Sequence, residues 1–215
     1  MEFNISIKMP KITKSLEKIS AILEEDRPNL LRIMQSGLSN SEIDKKTENL
    51  PFRLPQELYE FYNWHNGISI PDHIKFELDF LPNFWFISIE KSLEEFIRLE
   101  NLFEIYSVQE SYKKLWFPIF WSDTAYLLIT GSSDVQEIGE VYHISWVEGE
   151  FIARLEYPSL KTLLAIIAEC YDTGIYHTNS NIIAGQSIDF LQVDKKLFTQ
   201  VRRKYVLEFL GVKMN

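Results

Sequence analysis

The stretch Leu54-Pro55-Gln56-Glu57-Leu58-Tyr59-Glu60-Phe61-Tyr62-Asn63-Trp64-His65-Asn66-Gly67 constrains the fold more than any other part of the chain. Pro55 suits the first helical position, because its missing N–H is one that a helix start leaves unpaired anyway. Leu58, Phe61 and Tyr62 fall at i, i+3 and i+4 and make one apolar face. Asn66-Gly67 then predicts a stop, since glycine takes the left-handed conformation after a helix without a Cβ penalty. The result is a short, well-punctuated amphipathic helix that carries no chemistry of its own.

The segments around it follow the same logic. Ile12, Leu16, Ile19 and Leu23 step by three or four, which predicts an amphipathic helix from Pro10 to about Glu25. Pro28 opens a second, Asn29 to about Gln35, closed by Gly37. Ser39-Asn40-Ser41-Glu42 has the spacing of a capping box. The first third therefore reads as helical, with little strand signal. Phe76-Glu77-Leu78-Asp79-Phe80 alternates apolar and acidic, as a half-buried strand does. Trp85–Ser88 reads as another strand, and Leu93, Phe96 and Ile97 suggest a helix from about Glu90 to Glu104. Trp116–Trp121 is an aromatic run in which Pro118 argues for an edge or a strand start. Ala125–Thr130 is a continuous apolar run of strand length. Val141–Trp146 and Phe151–Tyr157 flank Glu148-Gly149, a hairpin signal. Ser159 caps a strong helix with Leu160, Leu163, Leu164, Ile167 and Tyr171 on one face, ended by Asp172-Thr173-Gly174. From Ile175 onward the sequence predicts turns and a short basic helix near Val193–Tyr205. Strands joined by short turns predict a largely antiparallel sheet. The expected fold class is thus α+β, a twisted sheet with helices packed around it.

Composition excludes several functions. The chain has 215 residues, 46% hydrophobic and 14% aromatic, which is ample for a packed core. It carries 22 basic and 31 acidic residues, a net charge of −9. That disfavours nucleic-acid or anionic-membrane binding, both of which need a positive field, and suits a basic protein partner. The single cysteine, Cys170, permits no internal disulfide and fits a reducing compartment. The N-terminus has no long apolar core of a signal peptide, and no run approaches the roughly 18 apolar residues of a membrane span. A cytoplasmic address is the expectation.

Catalytic and cofactor signatures are missing from the sequence. His65, His73, His143 and His177 are scattered, and there is neither a His-Glu-x-x-His pair nor a Cys-x-x-Cys. No phosphate-binding glycine loop and no Gly-x-Ser-x-Gly elbow occurs. No cofactor, metal or enzymatic activity is expected. Glu77 and Asp79 share one strand face, either as a carboxylate pair or as the solvated side of a half-buried strand. His65 reads as a hydrogen-bonding partner of the helix end or as a ligand. Each of Trp64, Trp85, Trp116, Trp121 and Trp146 is either core or part of an exposed groove, since tryptophan serves both. Lys195-Lys196 and Arg202-Arg203-Lys204 make the tail locally basic, and Leu197, Val201 and Tyr205 give it an apolar face, as in a docked surface helix.

Ser39-Asn40-Ser41-Glu42-Ile43, Leu54-Pro55-Gln56-Glu57-Leu58-Tyr59 and Trp64-His65-Asn66-Gly67 together resemble the opening pattern of the SUKH superfamily, founded on the Smi/Knr-type cell-wall assembly regulators of fungi. Three later stretches agree in order. Leu81-Pro82 leads to Ser92-Leu93-Glu94-Glu95, Trp116-Phe117-Pro118-Ile119-Phe120 is similar to the family's Phe-Pro strand, and Val141-Tyr142-His143 precedes the Ser159-Leu160 helix. The turn Ser122-Asp123-Thr124 departs from the family, which often has glycine there. The resemblance covers 37–176, leaving 1–36 as an N-terminal helical extension and 177–215 as a C-terminal segment. It implies a non-catalytic protein-binding module. Bacterial members are commonly read as immunity proteins that neutralise a cognate toxin, often a nuclease, whereas fungal members act as regulatory hubs that bind signalling proteins. The residues put forward for partner contact are Trp64, His65, Glu77, Asp79, Trp116 and Asp123.

Overall fold

The computed structural model describes residues 10–69, 79–105, 115–147, 150–183 and 186–212. Among these the helices are α1 (Ile12–Asp26), α2 (Pro28–Ile33), α3 (Asn40–Thr47), α4 (Gln56–Trp64), α5 (Ile89–Ile105), α6 (Leu160–Asp172) and α7 (Lys195–Phe209). The strands are β1 (Met34–Ser36), β2 (His65–Ile68), β3 (Trp85–Phe86), β4 (Trp116–Trp121), β5 (Ala125–Thr130), β6 (Val141–Val147), β7 (Glu150–Tyr157), β8 (Tyr176–Ile183) and β9 (Gln186–Val193). Strands β3 to β7 form one antiparallel meander in chain order, and β1–β2 and β8–β9 are separate two-stranded ribbons. The fold is α+β, as the sequence predicts.

Helices cover both faces of the meander, and β5 shows why its sequence is apolar throughout. Leu127 and Ile129 point into a core shared with Leu16 of α1, Phe61 of α4 and Leu164 of α6. Tyr126 and Leu128, one residue out of phase, pack on Leu99 and Phe103 of α5. Side chains alternate across a strand, so a strand buried on both sides reads as an unbroken apolar run. Pro118 pairs with Leu128 on one side and lies beyond the short β3, which reaches only Phe120 and Trp121. The strand is locally an edge there, with a register shift between Pro118 and Phe120, so the missing N–H breaks no ladder.

Several expectations change in detail. The second helix stops at Ile33, and Met34–Ser36 is a strand paired with His65–Ile68. Asn66-Gly67 therefore does not terminate α4, which ends at Trp64 with His65 already extended. In α5 Ile97 faces solvent at 63% exposure, while Glu95 is buried with Leu99 and Phe103. Tyr126 donates to Glu95 at 2.6 Å, and Lys91 and Arg98 bridge the same carboxylate, which accounts for its burial. The segment after Ile175 forms the β8–β9 hairpin and a 15-residue helix, α7. That helix docks through Val201, Tyr205 and a Phe198 ring stacked on Tyr176, leaving Leu197 exposed. Its basic residues bridge Lys204 to Glu169 and Arg202 to Glu156. Most of the expected Phe76–Phe80 strand, and the Glu148-Gly149 turn, lie outside the described residues.

Gly67 and Gly174 share a left-handed φ of 69° but face different surroundings. A Cβ on Gly67 would lie 2.3 Å from the Ser88 backbone nitrogen, whereas one on Gly174 would meet nothing within 4 Å. Gly67→Ala should lower unfolding stability by about 2–4 kcal/mol, combining left-handed strain with a backbone clash. Gly174→Ala carries the strain alone, about 1 kcal/mol. Urea unfolding of the two variants checks the contrast, and equal losses would contradict it.

Candidate partner-binding site

Helix α4 sorts its residues onto two faces. Leu58, Phe61 and Tyr62 are fully buried, and Phe61 stacks on Phe86 at 4.2 Å within a cluster that includes Phe80 and Phe120. One turn earlier, Glu57 is buried at 4% exposure. Its carboxylate accepts the backbone N–H groups of Gly139, Leu160 and Lys161, each at 2.9 Å. Leu160 and Lys161 open α6, and Ser159 Oγ accepts the next amide, Thr162, at 3.0 Å. Glu57 and Ser159 thus satisfy the first-turn donors that a helix leaves unpaired, and the carboxylate sits where the helix dipole favours negative charge.

Asn66 does a parallel job for α5. It is buried, its Oδ1 accepts the Ile89 N–H at 2.9 Å, and its Nδ2 donates to Glu90 at 3.0 Å. Burial raises the Glu90 carboxyl, but hydrogen bonds from Lys46 and Asn66 outweigh it and hold the group down at about 2. Asn66-Gly67 therefore carries the chain close past the start of α5 and caps that helix from outside.

The opposite face of α4 meets α1 in a groove of about 560 Å³. Leu16, Ala21 and Trp64 supply its apolar lining, and Glu17, Glu24 and Glu60 supply carboxylates. The Trp64 indole stacks on Phe61 at 6.0 Å and its Nε1 donates to Ser20 Oγ at 2.9 Å, so the ring is held in place. No lysine or arginine among the described residues lines the groove. Among the described residues, none of its carboxylates has an ion-pair partner.

The residues put forward from sequence do not form one site. Trp64 and His65 are neighbours, with ring centroids 4.6 Å apart, but the His65 Nδ1–H is directed at the Gln35 carbonyl, 2.9 Å away across the β1–β2 ribbon. This role differs from the expected contact with the helix end, because His65 is already strand. Asp79 is half-buried, accepts from Trp85 Nε1 at 3.1 Å, and offers its carbonyl to Arg27. Burial raises its carboxyl above the ordinary value. Glu77 lies outside the described residues. Trp116 is only 4% exposed and packs with Phe103 and Tyr142. Asp123 is exposed just past the far end of β4 from Trp116. The sequence reading missed Glu57 and the acidic rim. A signal for the rim exists: Glu60 precedes Trp64 by one helical turn, and Glu17 and Glu24 are two turns apart, so each pair shares a face.

The model of the SMI1 / KNR4 family (SUKH-1) matches residues 37–166. The chain belongs to this family. The SUKH-1 match begins at the loop before the α3 capping box and ends within α6, so it contains the Glu57 and Asn66 caps. None of the curated proteins compared with the chain matches it. Among the described residues no group of three or more His, Cys, Asp or Glu converges as a metal site, and no helix is long and apolar enough to cross a membrane.

Burial raises the Glu57 carboxyl to about 7, against the opposing pull of its N–H donors. A group raised in the folded state contributes stability that is full below its unfolded value, near 4.5, and is lost as pH rises through about 7. A shift of this size corresponds to roughly 3 kcal/mol. Glu57→Gln removes the titration and turns an NH2 against one amide donor. It should destabilise the protein by about 1–3 kcal/mol near pH 5. It should also flatten the decline of stability between about pH 5 and about pH 8. Denaturant midpoints for both proteins measure this, and parallel pH curves would contradict it.

Proposed function

We propose that this SUKH-1 protein is a non-catalytic protein-binding module, and specifically an immunity protein that neutralises a cognate toxin by covering it. The observation that carries the reading is the SMI1 / KNR4 match across residues 37–166. The net charge of −9 suits a basic partner such as a nuclease domain, whose active site is shaped to attract phosphates. Cys170 fits the non-catalytic reading: it is buried on α6, and burial pushes its thiol up to about 12, far from a reactive thiolate. The lone buried thiol also fits a cytoplasmic site of action. A regulatory scaffold that binds cellular signalling proteins is the second reading, favoured by the Smi/Knr founders of the matched family.

Genomic position and partner number separate the two. A toxin gene directly upstream, whose product loses toxicity when this chain is co-expressed, supports the immunity reading; capture of many unrelated cellular proteins supports the scaffold. If acidic steering operates, affinity for the toxin should fall at least about tenfold between about 50 mM and about 500 mM salt. Calorimetric titration at both salt concentrations measures it, and an unchanged affinity would contradict the steering mechanism.

A further inference from the structure

We infer that the groove between α1 and α4 receives an arginine side chain presented by a basic segment of the partner protein. The inference rests on the protein-binding reading and gives it a location and a chemistry. The groove combines an apolar floor, a fixed indole and carboxylates. Trp64 is half-buried, with its ring stacked on Phe61 and its N–H pinned by Ser20, so it offers an aromatic surface without an ordering penalty. Glu17 and Glu24 on α1 and Glu60 on α4 line the groove, and among the described residues no lysine or arginine lines it beside them. An aliphatic stem that ends in a planar cation matches both halves: methylenes lie along Leu16 and Ala21, and the guanidinium reaches the indole and the carboxylates. Arginine fits better than lysine because its flat, weakly hydrated head stacks on aromatic rings and bonds carboxylates in pairs. Arginine and tryptophan are also the residue types most enriched at binding hot spots.

The full chain, with its tryptophan indoles labelled for NMR, tests this. The Trp64 indole signal is assigned with Trp64→Phe. The probes are three short helical peptides with flanking lysines and a central arginine, lysine or citrulline, the last keeping the shape of arginine without its charge. The arginine peptide should move the Trp64 signal and bind at least about tenfold tighter than the citrulline peptide, with the lysine peptide between them. Ala21→Arg places the chain's own cation in the groove from an exposed helix position. It should abolish the Trp64 response without lowering the unfolding midpoint. Glu60→Gln should weaken binding severalfold.

Equal binding of the arginine and citrulline peptides would overturn the inference. So would a response confined to other tryptophans, or a Trp64 signal that moves with protein concentration alone, which would assign the groove to a second copy of the chain. A cognate toxin still neutralised by Ala21→Arg would overturn the groove assignment and leave the protein-binding reading intact. A wild-type chain that neutralises no neighbouring toxin and captures no protein partner would overturn the underlying reading instead.

Discussion

Glu57 places a carboxylate inside the protein and surrounds it with backbone donors from two remote segments. The Gly139 amide comes from the approach to β6, and the Leu160 and Lys161 amides come from the start of α6. An unpaired charge at this depth would destabilise the fold strongly, and unpaired first-turn amides in a buried helix start would do the same. The carboxyl satisfies the amides, and the amides offset part of the cost of its burial. The interaction therefore fixes the position of α4 relative to α6 and to the sheet, and the apolar contacts of Leu58, Phe61 and Tyr62 fill in around a geometry set by hydrogen bonds. Asn66 repeats the arrangement at the other end of the motif by capping α5. The stretch from Glu57 to Gly67 is thus a clasp between the helices on the two faces of the sheet.

A clasped helix leaves its outer face free for other work. Glu60 and Trp64 are presented by a backbone whose inner face is locked, and α1 completes the groove opposite them. Helix α1 precedes the family match, yet its apolar stripe packs against α4 and α6. It contributes Glu17, Glu24 and Leu16 to the groove. The matched residues supply the scaffold, and the groove draws most of its wall from α1, which precedes the family match.

Periodicity made the elements legible where one face of a helix meets the core, as with Ile12 to Leu23 of α1, whereas α6 is buried beyond the single face that its leucines predicted. The Ser39 and Ser159 caps were legible because a cap and its donor lie a few residues apart. The roles of Glu57 and Asn66 were not, because their donors are remote in sequence. On its own helix Glu57 looks like a solvated charge, and Asn66-Gly67 looks like a helix stop. Only the tertiary approach of Ser88, Ile89 and Leu160 shows otherwise. The same limit hid the groove: Trp64 was an evident candidate, but its acidic companions on α1 are separated from it by the whole of α2, β1 and α3. Trp116 shows the converse, an aromatic residue offered for binding that the sheet and α5 enclose.

Native-state hydrogen exchange of four amides tests the clasp most directly. First-turn helix amides have no intrahelical acceptor and ordinarily exchange early. Here Leu160 and Lys161 donate to Glu57, Gly139 donates to the same carboxylate, and Ile89 donates to Asn66. The account predicts that all four exchange only through global unfolding, with the same free energy as amides in the middle of β5. Exchange of Leu160, Lys161 and Ile89 through local fraying, while β5 stays protected, would contradict it.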